Sequence, residues 1–245
     1  MLDTLAERLR VARRVTVLTG AGVSAASGIP TFRGAGGLWR SFRAEDLATP
    51  EAFARDPALV WEWYEWRRAT IAGCRPNAAH EVLARWTRES TGFTVITQNV
   101  DDLHLRAGTE RLVRLHGSIW ELACWNRCGA GPWRDERVPL PSRPATCQNC
   151  GNLARPAVVW FGESLSSTDM NAAVKACSCD VFIAVGTSAV VYPAAGLVQQ
   201  AKARGAFTIE INVEATAASA AVDLAIKGGA EIVLPQLAAH LPRPG

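Results

Sequence analysis

The chain has 245 residues, 49% of them hydrophobic, and a formal net charge of +3 at pH 7. That length accommodates one sizeable α/β domain, or a large domain with a small companion. So weak a charge, on basic residues scattered singly, leaves no footprint for specific nucleic-acid binding.

The N-terminus carries Asp3, Glu7, Arg8 and Arg10 at the spacing of an amphipathic helix. It does not read as a secretory leader, so a cytoplasmic protein is expected. A short apolar strand, Val15–Leu18, leads into GAGVSAASGIPTFRG, from Gly20 to Gly34. A strand that ends in Gly-Ala-Gly leaves backbone N–H groups uncovered, and phosphates bind at such places. Gly20, Gly22 and Gly28, with Ser24 and Ser27 between, approach the G-x-G-x-x-G fingerprint. The same residues also suit a tight strand-to-helix turn with no ligand.

Leu38–Gly73 is a helical insert rich in tryptophan, and its WEWYEWRR run, Trp61–Arg68, puts Tyr64 and Arg67 on one helix face. A helix over Asn77–Arg88 carries His80 on its apolar side, where a satisfied core histidine is expected. The strand Phe93–Ile96 then runs into TQNVDDLHLRAG, Thr97–Gly108. Gln98, Asn99 and Asp101 thereby stand at a strand's carboxyl end, where side chains reach a bound ligand. An amide and a carboxylate there could hold ribose hydroxyls or an ordered water; Asn99 or Asp101 could equally cap a helix.

A further strand, Leu112–Leu115, ends at His116-Gly117. An imidazole of ordinary pKa about 6.5 is the natural general base near neutrality. His104, in a short helix, and His240, in the tail, are weaker candidates.

The stretch Gly117–Pro156 holds two close cysteine pairs, Cys124-x3-Cys128 and Cys147-x2-Cys150, near the spacing of a four-thiolate zinc ribbon. Four sulfur ligands close the coordination shell, so such a metal is structural. The chain's seven cysteines are an odd number, which argues against a fully paired disulfide framework. Cys74, Cys177 and Cys179 lack partners at ligand spacing and read as buried thiols.

The strands Val181–Val185 and Phe207–Ile211 flank a helix over Pro193–Arg204. The apolar region Val181–Val198 is broken by Gly186, Thr187, Ser188, Pro193 and Gly196, which fits a strand, a loop and a helix start better than a membrane span. Alternating strands and helices predict an α/β fold with a Rossmann-like parallel sheet. That domain is expected to comprise 1–37, 74–116 and 157–245. Two insertions, 38–73 and 117–156, form a second, smaller zinc-binding domain, and the ligand cleft lies between the two.

Taken in order, Gly20–Gly34, Thr97–Gly108, His116-Gly117, the paired cysteines, VVWFGE at Val158–Glu163, VGTS at Val185–Ser188 and IEIN at Ile209–Asn212 resemble the sirtuin family. The resemblance implies an NAD-dependent lysine deacylase with a structural zinc. It assigns Gly20, Ala21, Gly22, Thr31, Phe32, Arg33, Gln98, Asn99 and Asp101 to NAD. Gly186, Thr187 and Ser188 would approach its phosphate and ribose, Asn212 the adenosine ribose and Ala230 the adenine. His116 matches the catalytic histidine, with Asn99 and Asp101 beside it. Val158–Glu163, through Val159 and Phe161, would hold the substrate peptide as an added strand.

In the implied reaction the substrate's acyl oxygen attacks C1′ of the nicotinamide ribose and nicotinamide leaves. A ribose hydroxyl, deprotonated by His116, attacks the resulting imidate; loss of the amine gives free lysine, and addition of water completes O-acyl-ADP-ribose. NAD is consumed and no hydride moves. One departure is Ala26, where members often carry glutamate; no catalytic role is implied there.

The Tyr64-x-x-Arg67 pair resembles class III sirtuins, the desuccinylase and demalonylase branch, which take succinyl, malonyl or glutaryl lysine and deacetylate more weakly. A guanidinium and a phenol in one pocket suit a carboxylate. Ala48 matches a small residue that widens the acyl pocket. The expected partners are acyl-lysine proteins, with no specific nucleic acid and no membrane, and the protein is expected to be a monomer. Two other readings remain: an NAD-dependent protein mono-ADP-ribosyltransferase, and an NAD-sensing module that binds a partner through its zinc ribbon.

Overall fold

The structure, a computed structural model, describes residues 1–31, 42–188 and 190–241. In chain order the elements are α1 Leu2–Val11, β1 Val15–Thr19, α2 Gly22–Ala25, α3 Ala44–Leu47, α4 Pro50–Arg55, α5 Pro57–Ala72, α6 Ala78–Glu89, β2 Phe93–Thr97, α7 Leu103–Arg106 and β3 Leu112–Arg114. They continue with β4 Gly117–Cys124, β5 Trp133–Arg134, β6 Ala154–Val158, α8 Ser167–Ala176, β7 Val181–Val185, α9 Gly196–Ala203, β8 Phe207–Asn212, β9 Leu224–Lys227 and α10 Ala230–Ala239.

A six-stranded sheet has the order β3-β2-β1-β7-β8-β9, and all of its pairings are parallel. β1 and β7 are buried along their whole lengths, as central strands covered on both faces must be. Because alternate side chains leave a strand on opposite faces, Val15, Val17, Val181 and Ile183 pack against α1, α6 and α10. Leu18, Ile96, Phe182 and Ala184 face the other way, toward Ala173, Cys177, Leu197 and Ala201 of the α8–α9 side.

A separate antiparallel sheet, β5-β4-β6, packs with α4 and α5 around Phe53, Trp61, Trp63, Tyr64, Trp120 and Trp160. Two cap-and-proline starts shape the helices here. Thr49 Oγ1 accepts the Ala52 N–H at 3.0 Å ahead of Pro50, and Asp56 Oδ1 accepts the Leu59 N–H at 2.9 Å ahead of Pro57. Arg68 anchors α5 to β4 by donating to the Ile119 carbonyl at 2.7 Å. The buried Asp102 ties the two sheets together, pairing with Arg114 of β3 at 3.4 Å and Arg134 of β5 at 2.9 Å.

The five strands expected for the large sheet are all present, shifted by at most one residue at their carboxyl ends. The edge strand β9, the small sheet and the helices α8 and α10 were not foreseen. The expected helix over Pro193–Arg204 is shorter, at Gly196–Ala203. Among the described residues no helix is long and apolar enough to cross a membrane.

Candidate active site

The strand order reverses between β1 and β7, and the crevice outside their carboxyl ends is where open α/β sheets bind ligands. Here the backbones of two turns touch. Gly22 N–H donates to the Gly186 carbonyl at 2.8 Å, and Gly20 N–H to the Val185 carbonyl at 3.1 Å. A Cβ on Gly186 would lie 2.5 Å from Val23 N and 2.7 Å from Gly22 C, at a φ of +58°. Gly22 therefore serves chain packing first, and only the turn as a whole presents N–H groups to a ligand. Gly186→Ala is expected to cost about 2–3 kcal/mol and lower Tm by roughly 5–10 °C. An unchanged thermal-unfolding curve would show that the two turns can separate.

Around this contact, Gln98 Nε2 donates to Thr187 Oγ1 at 3.0 Å and Asn212 Nδ2 to the Thr187 carbonyl at 2.8 Å. Ser188 Oγ is buried with no hydrogen-bond partner among the described residues. Ala230, by contrast, is a core residue at the start of α10. Thr31 is half-buried, while Phe32 and Arg33 lie outside the described residues.

Two cavities, of about 200 and 290 Å³, meet at Ala21, Gln98, Asn99, His116, Val159 and Phe161. His116 Nδ1 lies 2.8 Å from the Gln98 carbonyl. A carbonyl can only accept, so Nδ1 carries the hydrogen and Nε2 of the neutral ring keeps a lone pair. Burial pushes the His116 pKa below its ordinary value, against the partial pull of that hydrogen bond. The ring is thus held as a neutral base at the junction.

Beneath it runs a buried polar chain. Ser24 Oγ–H donates to Asp101 Oδ2 at 2.8 Å, and Asn99 Nδ2 donates to Ser24 Oγ at 3.2 Å and to the Gly20 carbonyl at 3.1 Å. Asn77 N–H donates to His80 Nδ1 at 3.3 Å, so the neutral ring carries its hydrogen on Nε2, 3.4 Å from Ser24 Oγ. Burial holds the His80 pKa down to about 4. Asp101 Oδ1 accepts the Leu103 N–H at 2.8 Å, so it orders the start of α7 as well as lining a cavity. Asp101 thus stands both at the start of a helix and in a cavity wall. Burial raises its pKa, while the bonds from Leu103 and Ser24 oppose that shift.

The smaller cavity is also lined by Ala48, Trp63, Tyr64 and Arg67. The Arg67 guanidinium lies 4.8 Å from the Trp63 ring centroid and 5.3 Å from that of Tyr64. Burial lowers its pKa, and the nearby Tyr64 and Asp101 resist that shift. Burial raises the Tyr64 pKa and keeps the phenol protonated. The Ala48 carbonyl accepts the Phe161 N–H at 2.9 Å, so the α3–α4 turn braces the Val158–Glu163 segment.

The sulfurs of Cys124, Cys128, Cys147 and Cys150 all lie within 4.8 Å of one another. Cys124 to Cys150 is 3.6 Å and Cys128 to Cys147 is 3.7 Å, against about 3.8 Å across a tetrahedral four-thiolate zinc with Zn–S near 2.3 Å. Asn149 Nδ2 donates to Cys128 Sγ at 3.4 Å and Asn152 Nδ2 to Cys150 Sγ at 3.5 Å, outer-shell bonds that favour thiolates. The cluster is compatible with a structural zinc. Cys147→Ala is expected to abolish bound zinc and to destabilise the small sheet by more than about 3 kcal/mol. Metal analysis with calorimetry checks this, and a metal-free wild type of equal stability would refute it.

The expected site residues Gly20, Ala21, Gln98, Asn99, Asp101, His116, Val159 and Phe161 thus line the cavities, with Ala48, Tyr64 and Arg67 at the inner end. Sequence reasoning gave no role to Ser24 or Trp160. Ser24 lay in the glycine run and Trp160 in VVWFGE, but their partners are distant in the chain.

Residues 20–193 match the family model described as Sir2 family. An NAD-dependent protein deacylase 2 of Pyrobaculum aerophilum is 50% identical over 240 residues, covering 98% of this chain and 95% of the relative. A solved Sir2 homologue mutant in complex with 2′-O-acetyl ADP-ribose superposes with a TM-score of 0.93 at 42% identity, covering 98% of this chain and 96% of that one. A Sir2 homologue–NAD complex gives 0.92 at 43% identity, covering 97% and 93%. The chain belongs to the Sir2 family.

Proposed function

We propose that the protein removes acidic acyl groups (succinyl, malonyl and glutaryl) from protein lysines, with weaker deacetylation. Its coarser activity is that of an NAD-dependent protein deacylase, consistent with the names of its relatives. Protein ADP-ribosyl transfer is not favoured by them.

The observation that carries the acidic preference is one cavity holding Tyr64 and Arg67 at one end and His116 at the other. An acyl-lysine entering from the His116 junction would place its carbonyl near the base and its distal carboxylate near the guanidinium. That guanidinium is already desolvated, so a carboxylate gains charge-assisted hydrogen bonds at little further cost. A neutral acetyl group is too short to reach it.

NAD supplies the electrophilic ribose carbon and the acyl-accepting hydroxyl. Gly20–Gly22, Gly186–Ser188 and Asn212 would hold its phosphates and riboses. Neutral His116 Nε2 would take the hydroxyl proton, with Asn99 orienting the groups around it. Val159 and Phe161 would bind the peptide main chain as an added strand, which leaves little readout of substrate sequence. The large sheet with its helices (1–37, 74–116, 157–245) would carry NAD. Segments 38–73 and 117–156 would form the small domain, and seven cysteines would remain reduced in the cytoplasm.

The test is product-resolved mass spectrometry with NAD and matched succinyl-lysine and acetyl-lysine peptides. Strong desuccinylation with O-succinyl-ADP-ribose as product supports the reading. Dominant deacetylation would remove Tyr64 and Arg67 from acyl selection.

A further inference from the structure

Trp160 lies within the Val158–Glu163 segment, lines the larger cavity and is 2% exposed. Its indole Nε1–H donates to the Tyr64 hydroxyl oxygen at 2.8 Å, a buried bond between residues far apart in sequence. The indole is clamped from several sides. The Arg155 guanidinium carbon sits 3.4 Å from the centroid of the Trp160 ring, and the Phe53 ring centroid is 5.3 Å away. Arg155 is itself held by Glu163, at 2.5 and 2.8 Å, and by the Val158 carbonyl at 2.7 Å. Glu163 Oε2 also accepts the Trp160 backbone N–H at 2.8 Å.

An indole nitrogen can only donate, so this contact fixes the phenol oxygen as the acceptor. The phenol's own hydrogen must then go to a different acceptor, and Tyr64 lines the cavity that Arg67 also lines. A free phenol rotates and can present a lone pair, which a carboxylate would repel. The Arg67 guanidinium, which can only donate, also hydrogen-bonds this phenol, so with its oxygen accepting from both the indole and Arg67 the phenol presents its hydrogen.

We propose that Trp160 is a specificity-determining positioning residue: its indole N–H orients the Tyr64 phenol so that the phenolic hydrogen is offered to the acyl carboxylate. The proposal rests on the acidic-acyl reading above. It adds that selectivity is set in part by a residue outside the lining of the cavity that holds Tyr64 and Arg67. It also couples the two halves of the substrate, because Trp160 sits between Val159 and Phe161, the residues proposed to bind the peptide backbone.

The experiment compares wild type, Trp160→Phe, Tyr64→Phe and the double variant on succinyl-lysine and butyryl-lysine peptides of one sequence. Phenylalanine retains an aromatic ring for Arg155 to cover and removes the N–H donor together with part of the indole's volume, a loss that bears on both substrates alike and not on their ratio. Trp160→Phe is expected to lower the succinyl-to-butyryl ratio of kcat/KM about fivefold, the scale of one hydrogen bond. The loss should appear mainly in the succinyl KM. In the Tyr64→Phe background the same substitution should leave the ratio unchanged, because there is no phenol left to orient.

An equal fall on both substrates, an unchanged ratio, or an effect that persists without Tyr64 would each overturn the role of Trp160. A wild type with no preference for succinyl would overturn the acidic-acyl reading itself, and this proposal with it. Should Trp160→Phe unfold, the Tyr64→Phe ratio decides: the proposal requires it to fall by at least the same factor.

Discussion

Replacing His116 by asparagine is expected to lower kcat by roughly 10²–10⁴-fold on every acyl substrate, the range for a positioned general base. Because the proposed reaction has His116 act on the ribose hydroxyl and not on the distal acyl group, succinyl and acetyl turnover should fall together. Asparagine can still donate to the Gln98 carbonyl, so the fold and zinc content should be retained. The pH dependence follows from the same geometry. Protonation of Nε2 removes the base, and burial places the His116 pKa below its ordinary value, so the neutral form survives into mildly acidic solution. The acid limb of kcat/KM should therefore fall below pH 6.5, with activity lost as pH drops through it. The asparagine variant should lack that limb. A limb above pH 7, or substantial turnover by the variant, would take His116 out of the role.

What could be read from the chain depended on how local the determining interactions are. β1 and β7 are continuous apolar runs because both sheet faces are covered, and such runs stand out in a sequence. β9 is an edge strand in which only Ile226 is fully buried, so it has no comparable signature. β4 alternates, but its register with β6 shifts between Gly117 and Leu122, and β6 contains Pro156. Those irregularities hide a strand pattern. α10 carries Pro235 within it, which reads as a breaker although the structure continues through.

The site shows the same division. The cysteine pairs, the glycine turn and the amide–carboxylate run lie within short windows, so their chemistry was legible. His80 was rightly read as buried, yet its approach to Ser24 spans 56 positions. The Trp160–Tyr64 bond spans 96. No periodicity links such positions. Adjacent arginines make the point most directly: Arg68 turns toward the small sheet to meet backbone carbonyls, while Arg67 lines the cavity, and only the helix's placement separates those fates.

Arg67→Met should separate acyl recognition from catalysis. Methionine is also unbranched, so the cavity stays filled while the charge and its planar donor fork are lost. On a succinyl-lysine peptide kcat/KM is expected to fall about 10²-fold, since a buried carboxylate loses charge-assisted partners worth about 1.5–3 kcal/mol and gains none. On an acetyl-lysine peptide the change should stay within a few-fold, because a short neutral acyl group never reaches the guanidinium. Neutral acyl groups of greater length should improve, as Ile29, Trp63 and Ile71 already give that end of the cavity apolar walls. Arg67→Lys should fall between, keeping a positive charge without the two-pronged geometry. Asp101 sharpens the expectation: its carboxylate lies close enough to affect Arg67, so deleting the cation should also raise the Asp101 pKa further. Equal losses on succinyl and acetyl peptides, with no change in acyl preference, would return Arg67 to a purely structural place on α5.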